Sequence, residues 1–127
     1  MKNIKILVVE DDPSVRELFK VLLEGDGYEI LQAENGLDGL KRAEQDAPDL
    51  MILDLMMPDE DGETVLGKLR SHSSLSEVPI LVVSGKYEAL DRLKEELGDG
   101  NVFSKPFEPT KLMDRIGELV GHPDDEE

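Results

Sequence analysis

Short apolar runs alternate along this chain with segments whose apolar residues recur at helical spacing. The runs are rich in Val, Ile and Leu and show no helical period, which is typical of strands buried on both faces of a parallel sheet. They are bounded by polar residues, glycine or proline, which limits each strand to a few residues. The predicted strands are Ile4–Val9, Tyr28–Ala33, Leu50–Leu53, Ile80–Val83 and Val102–Phe103.

Five helices are predicted, one after each strand. Asp12 followed by Pro13 is typical of an N-cap and the first helical turn, and Pro109 after Glu108 opens the last helix. Asp61 is a candidate cap for the third helix. The apolar stripes or helical segments lie at Val15–Leu23, Leu37–Gln45, Val65–Leu69, Leu90–Leu97 and Leu112–Val120.

Five strand–helix units predict an α/β protein with an open, doubly wound parallel sheet, since right-handed crossovers place helices on both faces. A barrel would need eight units. We expect one folded domain over residues 1–121, followed by an acidic, disordered tail at 122–127. Ligands of such sheets bind outside the carboxyl ends of the strands, which directs the search for chemistry to those positions.

The composition excludes several classes of site and partner. The 127 residues include 14 basic and 30 acidic ones, a net charge of −16, so we expect no direct binding to nucleic acid or to anionic membranes. Zero cysteines exclude disulfides, thiolate metal sites and cysteine nucleophiles. The N-terminal apolar run is too short for a signal peptide or membrane span, and we expect a cytoplasmic location.

Polar residues follow four of the five predicted strands. They are Glu10 and Asp11 after the first, Asp54 after the third, Ser84 and Gly85 after the fourth, and Lys105 after the fifth. Carboxylates about 4 Å apart repel by about 4 kcal/mol at an effective dielectric of 20, so this cluster needs positive charge. Lys105 supplies one cation. Mg²⁺, which prefers oxygen ligands and is held by one or two carboxylates plus phosphate, fits the remaining demand.

This set of residues also suits phosphoryl transfer. Asp54 is the best-placed nucleophile toward phosphorus and would form an aspartyl phosphate. Ser84 offers a hydroxyl donor for a phosphoryl oxygen, and Gly85 leaves its backbone N–H approachable. Structural roles are assigned to Asp12, as a helix cap, and to the two histidines, which lack ligand spacing and are placed on the surface.

The order and spacing of these motifs strongly resemble those of response-regulator receiver domains of two-component signalling. The motifs are Leu7–Pro13, Asp54–Pro58, Asp61–Gly62, Ser84–Gly85 and Lys105–Phe107. The resemblance covers nearly the whole chain and implies a flavodoxin-like strand order 2-1-3-4-5. It further implies that a histidine kinase or phosphotransfer protein donates a phosphoryl group to Asp54, and that Lys105 and Ser84 contact the phosphoryl oxygens.

The same resemblance implies a magnesium site and a switch. The ligands of the magnesium site would be the Asp11 and Asp54 carboxylates, Glu10 mainly through water, and the Met56 backbone carbonyl. The peptide between Lys105 and Pro106 is expected to be cis. The family's aromatic switch position falls on Val102, and Phe103 beside it would face the opposite side of the strand. Met56 and Lys86 occupy the positions that influence access of water to the acyl phosphate.

The expected function is a phosphorylation-controlled binding module, a monomer or weak homodimer, which signals by docking onto an output protein that the sequence does not identify. A metal-dependent phosphatase of the aspartyl-phosphate type is the first alternative, but it would carry a second Asp where Met56 stands. A flavodoxin is disfavoured because its phosphate loop would coincide with acidic residues. A scaffold that has lost phosphorylation is disfavoured by the complete residue set.

Overall fold

A computed structural model describes residues 3–55, 62–85 and 87–124 of the chain. Its strands and helices confirm the predicted order, with bounds within three residues of the predicted strands and helical stripes. They are β1 Lys5–Val9, α1 Pro13–Gly25, β2 Glu29–Ala33, α2 Gly36–Asp46, β3 Leu50–Leu53, α3 Gly62–Ser71, β4 Ile80–Ser84, α4 Tyr87–Leu97, β5 Val102–Ser104 and α5 Pro109–Val120. A single 3₁₀ turn, Asp99–Asn101, precedes β5.

The five strands form one parallel sheet in the order β2-β1-β3-β4-β5, which confirms the predicted fold class and strand order. Val9, the last residue of β1, pairs with Ala33 at the end of β2 and with Leu53 at the end of β3. Ser84 pairs with Ser104 at the ends of β4 and β5. The strands therefore finish at one edge of the sheet, and the residues that follow them are brought together.

Successive strand residues face opposite sides of the sheet, and each side has its own apolar core. Leu7, Met51 and Val82 face the side that α2, α3 and α4 cover. Ile6 and Ile52 face the side that α1 and α5 cover. Both faces are thus sealed by helices, which explains why the strands are nearly continuous apolar runs rather than alternating ones.

The N-terminus of α1 is capped as predicted. The Asp12 carboxylate accepts hydrogen bonds from the backbone N–H groups of Ser14, at 2.8 Å, and Val15, at 3.4 Å. Pro13 occupies the first helical turn, where its missing N–H costs nothing. The Asp12 carboxylate therefore caps its own helix, whereas the two acidic residues before it, Glu10 and Asp11, lie at the edge of the sheet.

The packed structure continues past the boundary predicted at residue 121. The Tyr28 hydroxyl donates to the carbonyl of Gly121 at 2.8 Å, and Pro123 is buried close to Gly27, where a Cβ would lie 3.4 Å from the proline ring. The ring of His122 meets that of Tyr28 edge-on at 5.9 Å. Charge and composition, from which a tail at 122–127 is predicted, do not reveal this apolar contact. Residues 125–127 lie outside the described part of the chain.

In the described ranges, none of the helices combines the length and the apolar character that crossing a membrane requires.

Candidate functional site

The sheet's hydrogen-bond pattern continues one residue beyond the strands and fixes the residues of the site. Glu10 N–H donates to the carbonyl of Ala33 at 3.1 Å, and Asp54 N–H donates to that of Val9, also at 3.1 Å. On the other side of the sheet edge, Lys105 N–H donates to the carbonyl of Ser84 at 3.1 Å. Backbone positions are thus held by the sheet itself, although the residues belong to connecting segments.

Three carboxylates meet at this edge, as the sequence predicts. Glu10, Asp11 and Asp54 each offer an oxygen, and these oxygens lie within 4.8 Å of one another. Glu10 and Asp54 are buried, with 1% and 5% of their surface exposed, whereas Asp11 is exposed. The cluster is therefore closed on the protein side and accessible on the side of Asp11.

Lys105 supplies the predicted positive charge. Its Nζ donates to Glu10 Oε1 at 2.7 Å and to Asp54 Oδ2 at 3.0 Å. Two anions that would otherwise repel share one cation, and hydrogen bonds to charged groups of this kind are stronger than neutral ones. Because Lys105 follows β5 and its partners follow β1 and β3, the contact joins elements far apart in sequence.

Burial and charge perturb the titration of two groups in the cluster. Burial raises the pKa of Glu10 from 4.5 to about 7; the hydrogen bond from Lys105 opposes this rise and the neighbouring Asp54 charge adds to it. For Lys105, burial acts to lower the pKa, but its hydrogen bonds to Glu10 and Asp54 outweigh that effect and raise it. A further cation would favour the ionised form of Glu10.

The β4 end of the site has an alcohol beside open space. Ser84 is fully buried as the last residue of β4. Gly85 is partly exposed, and a Cβ built on it would meet no atom within 4 Å. The space around the Gly85 Cα is therefore open, and its expected contact with a phosphoryl group stays a prediction. Neither residue contributes a carboxylate, so this end of the site is the less negative one.

Several predicted residues lie outside the described part of the chain. They are Met56, whose carbonyl is an expected metal ligand, the candidate cap Asp61, and Lys86. The Lys105–Pro106 peptide is cis, as the resemblance implies. Val102 and Phe103 belong to opposite cores, which confirms that they face opposite sides of the sheet.

One residue of the site was not singled out from the sequence. Nη1 of Arg16, on α1, donates to the backbone carbonyls of Glu10, at 2.9 Å, and Asp11, at 3.3 Å. The available signal was its position four residues after the N-cap Asp12, which turns its side chain back toward the helix start. The sequence pattern alone did not show that the backbone carbonyls of Glu10 and Asp11 lie within reach of this side chain.

The donor set fits a hard divalent cation. It consists of carboxylate oxygens from three residues. Glu10 and Asp54 are tied to the sheet by their backbone N–H groups and to Lys105 by their carboxylates, and Asp11 lies on the open side. Mg²⁺ accepts one or two carboxylates and keeps several waters, so three converging oxygens with an accessible side match its preferences. Within the described part of the chain, no thiolate or imidazole belongs to this cluster, which disfavours softer metals.

Comparison with known proteins now adds to this geometry. The sequence model described as "Response regulator receiver domain" matches residues 6–117. The chain belongs to the response regulator receiver domain family. Such receivers are the phosphorylation-activated modules of two-component signalling, and the alternatives of a phosphatase and a flavodoxin are not supported by this match.

Similar proteins include both curated sequences and solved structures. The alkaline phosphatase synthesis transcriptional regulatory protein PhoP of Bacillus subtilis is 40% identical over 119 residues, which are 93% of this chain and 49% of that protein. This receiver spans about half the length of the curated relatives it matches. A crystal structure of a response regulator from Chloroflexus aurantiacus is 32% identical, with a TM-score of 0.84 over 95% of this chain and 100% of that one.

A third likeness concerns the fold. The receiver domain of the sensor histidine kinase PA1611 from Pseudomonas aeruginosa is 23% identical, with a TM-score of 0.79 over 94% of this chain and 99% of that one. Its crystal structure has a magnesium ion coordinated in the active site cleft.

Proposed function

We propose that this receiver accepts a phosphoryl group on Asp54 from the phosphohistidine of a histidine kinase or phosphotransfer protein. The observation that carries the proposal is the pairing of Lys105 Nζ with both Asp54 and Glu10 inside a cluster of three carboxylates. Lys105 compensates the charge of the Asp54 carboxylate, and the cluster is accessible on the side of Asp11, as a phosphoacceptor site requires. Glu10 is the second buried carboxylate paired with Lys105, but it follows β1, whereas Asp54 follows β3, the strand that pairs with β4 and so neighbours Ser84.

In the proposed reaction, a carboxylate oxygen of Asp54 bonds to phosphorus while the P–N bond of the donor breaks. Lys105 offsets negative charge on the transferring oxygens, since its Nζ already lies 3.0 Å from Asp54 Oδ2. Ser84 donates its hydroxyl to a phosphoryl oxygen, and the Gly85 N–H is a further donor. Each group acts from the end of a different strand.

Mg²⁺ is the cofactor we propose, with Asp11, Asp54 and the Met56 carbonyl as ligands and Glu10 bound mainly through water. When bound, it would neutralise charge on the phosphoryl oxygens. Its support is the spacing of the three carboxylates and the magnesium ion in the related PA1611 receiver. The same residues would serve the return reaction with water, so the domain switches itself off and turns over no separate substrate.

Output is proposed to occur by docking of the phosphorylated receiver onto another protein, with the domain a monomer or weak homodimer in the cytoplasm. The net charge of −16 argues against nucleic acid as the direct partner of this domain. The name of the PhoP relative describes a transcriptional regulator about twice as long as this receiver. The proposed output partner of the present chain is therefore a protein, whose identity the sequence and the structure do not give.

Intact-mass spectrometry after incubation with acetyl phosphate tests the phosphoacceptor. We expect a single phosphoryl adduct that requires Mg²⁺ and disappears in Asp54→Asn. The matched control is Asp12→Asn, which removes a neighbouring acidic charge but keeps a side chain suited to capping α1. The control should retain the adduct. An adduct of equal yield in Asp54→Asn would overturn the assignment.

If the wild type gives no adduct, beryllofluoride binding separates a poor reaction with the small donor from an inactive site. Binding of beryllofluoride with Mg²⁺, lost in Asp54→Asn, would keep the proposed acceptor. Absence of both the adduct and the bound analogue would reject the proposed function in favour of a scaffold that does not depend on phosphorylation.

A further inference from the structure

The Arg16 side chain connects α1 to the backbone of the acidic residues Glu10 and Asp11, which follow β1. Its Nη1 is shared between the carbonyl oxygens of Glu10, at 2.9 Å, and Asp11, at 3.3 Å. The side chain is half-buried, and its own backbone N–H donates to Asp12 at 2.9 Å in the first turn of the helix. The guanidinium therefore reaches back over the helix start and holds the two residues that precede the cap.

Glu10 is held at every polar group that the structure describes. Its N–H donates to Ala33, its carbonyl accepts from Arg16, and its carboxylate accepts from Lys105 at 2.7 Å and from the Asp12 N–H at 3.3 Å. Three of these ties come from backbone or from Lys105 within the site. The fourth, from Arg16, reaches in from α1.

Asp11 depends on Arg16 more directly. Its side chain is exposed, and its carbonyl accepts from Arg16 Nη1. The Asp11 carboxylate nevertheless belongs to the three-carboxylate cluster, with its oxygen within 4.8 Å of those of Glu10 and Asp54. Fixing the carbonyl of an exposed residue limits the directions in which its side chain can point, because the backbone can no longer turn freely.

We propose that Arg16 is a positioning residue of the site, which fixes the Glu10–Asp11 segment so that both carboxylates are preorganised for the divalent cation. The inference rests on the proposed function, because it concerns the same metal site. Arg16 contacts the backbone carbonyls of Glu10 and Asp11, so it acts on the cation through these two residues.

Arg16 has two effects on cation binding, and they are opposite in sign. Its hydrogen bonds hold the ligands in place and strengthen binding, whereas its positive charge repels Mg²⁺ and weakens it. Salt separates the two, because the Debye length falls from about 10 Å at 0.1 M to about 3 Å at 1 M, and screening leaves hydrogen-bond geometry unaffected. Measurement at 0.5 M salt therefore reduces the contribution of charge, and Arg16→Lys, which keeps the charge, reports on positioning.

The experiment is calorimetric titration of Mg²⁺ into the whole chain at 0.5 M salt. We expect Arg16→Gln to weaken Mg²⁺ binding by about three- to tenfold, the effect of losing one or two hydrogen bonds that organise the ligands. Arg16→Lys keeps the charge but lacks the planar fork, and should weaken binding at least twofold. The matched control is Lys20→Gln, one turn further along α1, which should stay within twofold of the wild type.

Hydrogen exchange of the metal-free protein supplies an independent readout. Arg16→Gln should speed exchange at the amides of residues 10–12 relative to those of β1, and Lys20→Gln should not. In phosphorylation by acetyl phosphate, the Mg²⁺ concentration for half-maximal rate should rise, while the rate at saturating Mg²⁺ changes less. A generally loosened fold would instead lower the phosphorylation rate at saturating Mg²⁺ as well, and would speed hydrogen exchange throughout the sheet.

Wild-type Mg²⁺ affinity in both Arg16 variants, or tighter binding in Arg16→Gln at 0.5 M salt, would overturn the inference. Circular dichroism checks folding. If Arg16→Gln does not fold, Arg16→Lys decides the question: Mg²⁺ binding weakened at least twofold supports the inference, and a smaller change overturns it. A wild type that binds no Mg²⁺ would instead reject the proposed metal site itself. Exchange at residues 10–12 would then still show whether Arg16 anchors the segment.

Discussion

The ring of Phe107 stacks on that of Phe19, with centroids 5.2 Å apart and planes inclined by 4°. Phe19 is a buried residue of α1, and Phe107 lies two residues after Lys105. The stack therefore fastens the segment after β5 to the helix whose Arg16 holds the acidic segment after β1. The two halves of the candidate site, cationic and acidic, share α1 as their support.

Removing this stack should lower the stability of the domain. Phe107 is half-buried, so we expect Phe107→Ala to lower the free energy of unfolding by about 1–3 kcal/mol, less than for a fully buried phenylalanine. Phe107→Leu retains most of the apolar contact and should lose less than half as much. Urea unfolding measures both variants. Equal losses in the two variants would contradict this expectation, because they would mean that the contribution depends on the aromatic ring and not on apolar volume.

The close approach of α2 to the sheet requires a glycine at position 39. A Cβ built on Gly39 would lie 2.8 Å from Val9 Cγ2 and 3.1 Å from Val9 Cγ1. We expect Gly39→Ala to lower the free energy of unfolding by about 1–3 kcal/mol, because the valine preceding Glu10 must move. Thermal unfolding of the variant checks this.

The matched control for Gly39 is Gly117→Ala on α5, where a Cβ would meet nothing within 4 Å. Alanine is favoured over glycine in a helix by about 0.5–1 kcal/mol, so this variant should be as stable as the wild type or more stable. Destabilisation by both substitutions alike would contradict the steric explanation for Gly39.

The parallel sheet and the composition of the site could be predicted from local patterns, whereas the strand order was implied by the resemblance to receiver domains. Runs such as Leu50–Leu53 are too short and too apolar for surface helices, and in a parallel sheet all strands end at one edge. Once the strands were placed, Glu10, Asp54 and Lys105 had to lie near one another. Topology does not depend on the details of side-chain packing, and the prediction did not need them.

The contacts that could not be predicted depend on where a flexible or apolar side chain finds a partner in space. Arg16 had several possible partners on a chain with 30 acidic residues, and its actual ones are backbone carbonyls. Pro123 looked like part of a charged tail until Gly27 and Tyr28 were seen beside the end of α5. The rise in the pKa of Glu10 likewise requires knowledge of its burial.

The raised pKa of Glu10 makes the stability of the metal-free domain depend on pH. Between pH 4.5 and about 7 the folded state keeps a proton on Glu10 that the unfolded chain releases, so this group lowers stability as pH rises. Its penalty is absent below pH 4.5 and complete above about pH 7. Lys105, with a pKa raised from 10.5, stays charged throughout this range.

Glu10→Gln removes this titration. In the presence of a chelator, its free energy of unfolding relative to the wild type should be more favourable at pH 8 than at pH 5. At about 1.4 kcal/mol per pKa unit, the change amounts to roughly 1–3 kcal/mol. Urea unfolding at both pH values measures it, with the exposed Glu17→Gln as a control for net charge. If the free energies of unfolding of Glu10→Gln and the wild type differ by the same amount at both pH values, the titration of Glu10 is not the cause of the pH dependence.

The absence of an aromatic residue at position 102 shapes the expected conformational response. Val102 is buried with α3 and α4, and Phe103 packs in the opposite core with α1 and α5. Both are fixed by pairing of β5 with β4, in which Val102 lies opposite Val82 and Phe103 opposite Val83. Exchanging their sides would require a one-residue slip of β5 and loss of that pairing.

We therefore expect phosphorylation to act mainly through the Ser84 loop and α4, with a smaller rearrangement of β5. Crystal structures with and without beryllofluoride and Mg²⁺ should show Phe103 in the same core and no large rotamer change at Val102. An inward rotation of Val102, or movement of Phe103 into the space between β5 and α4, would contradict this expectation. A valine offers only a small apolar surface to such a space, so the displacement that partners detect must come from the backbone around Ser84.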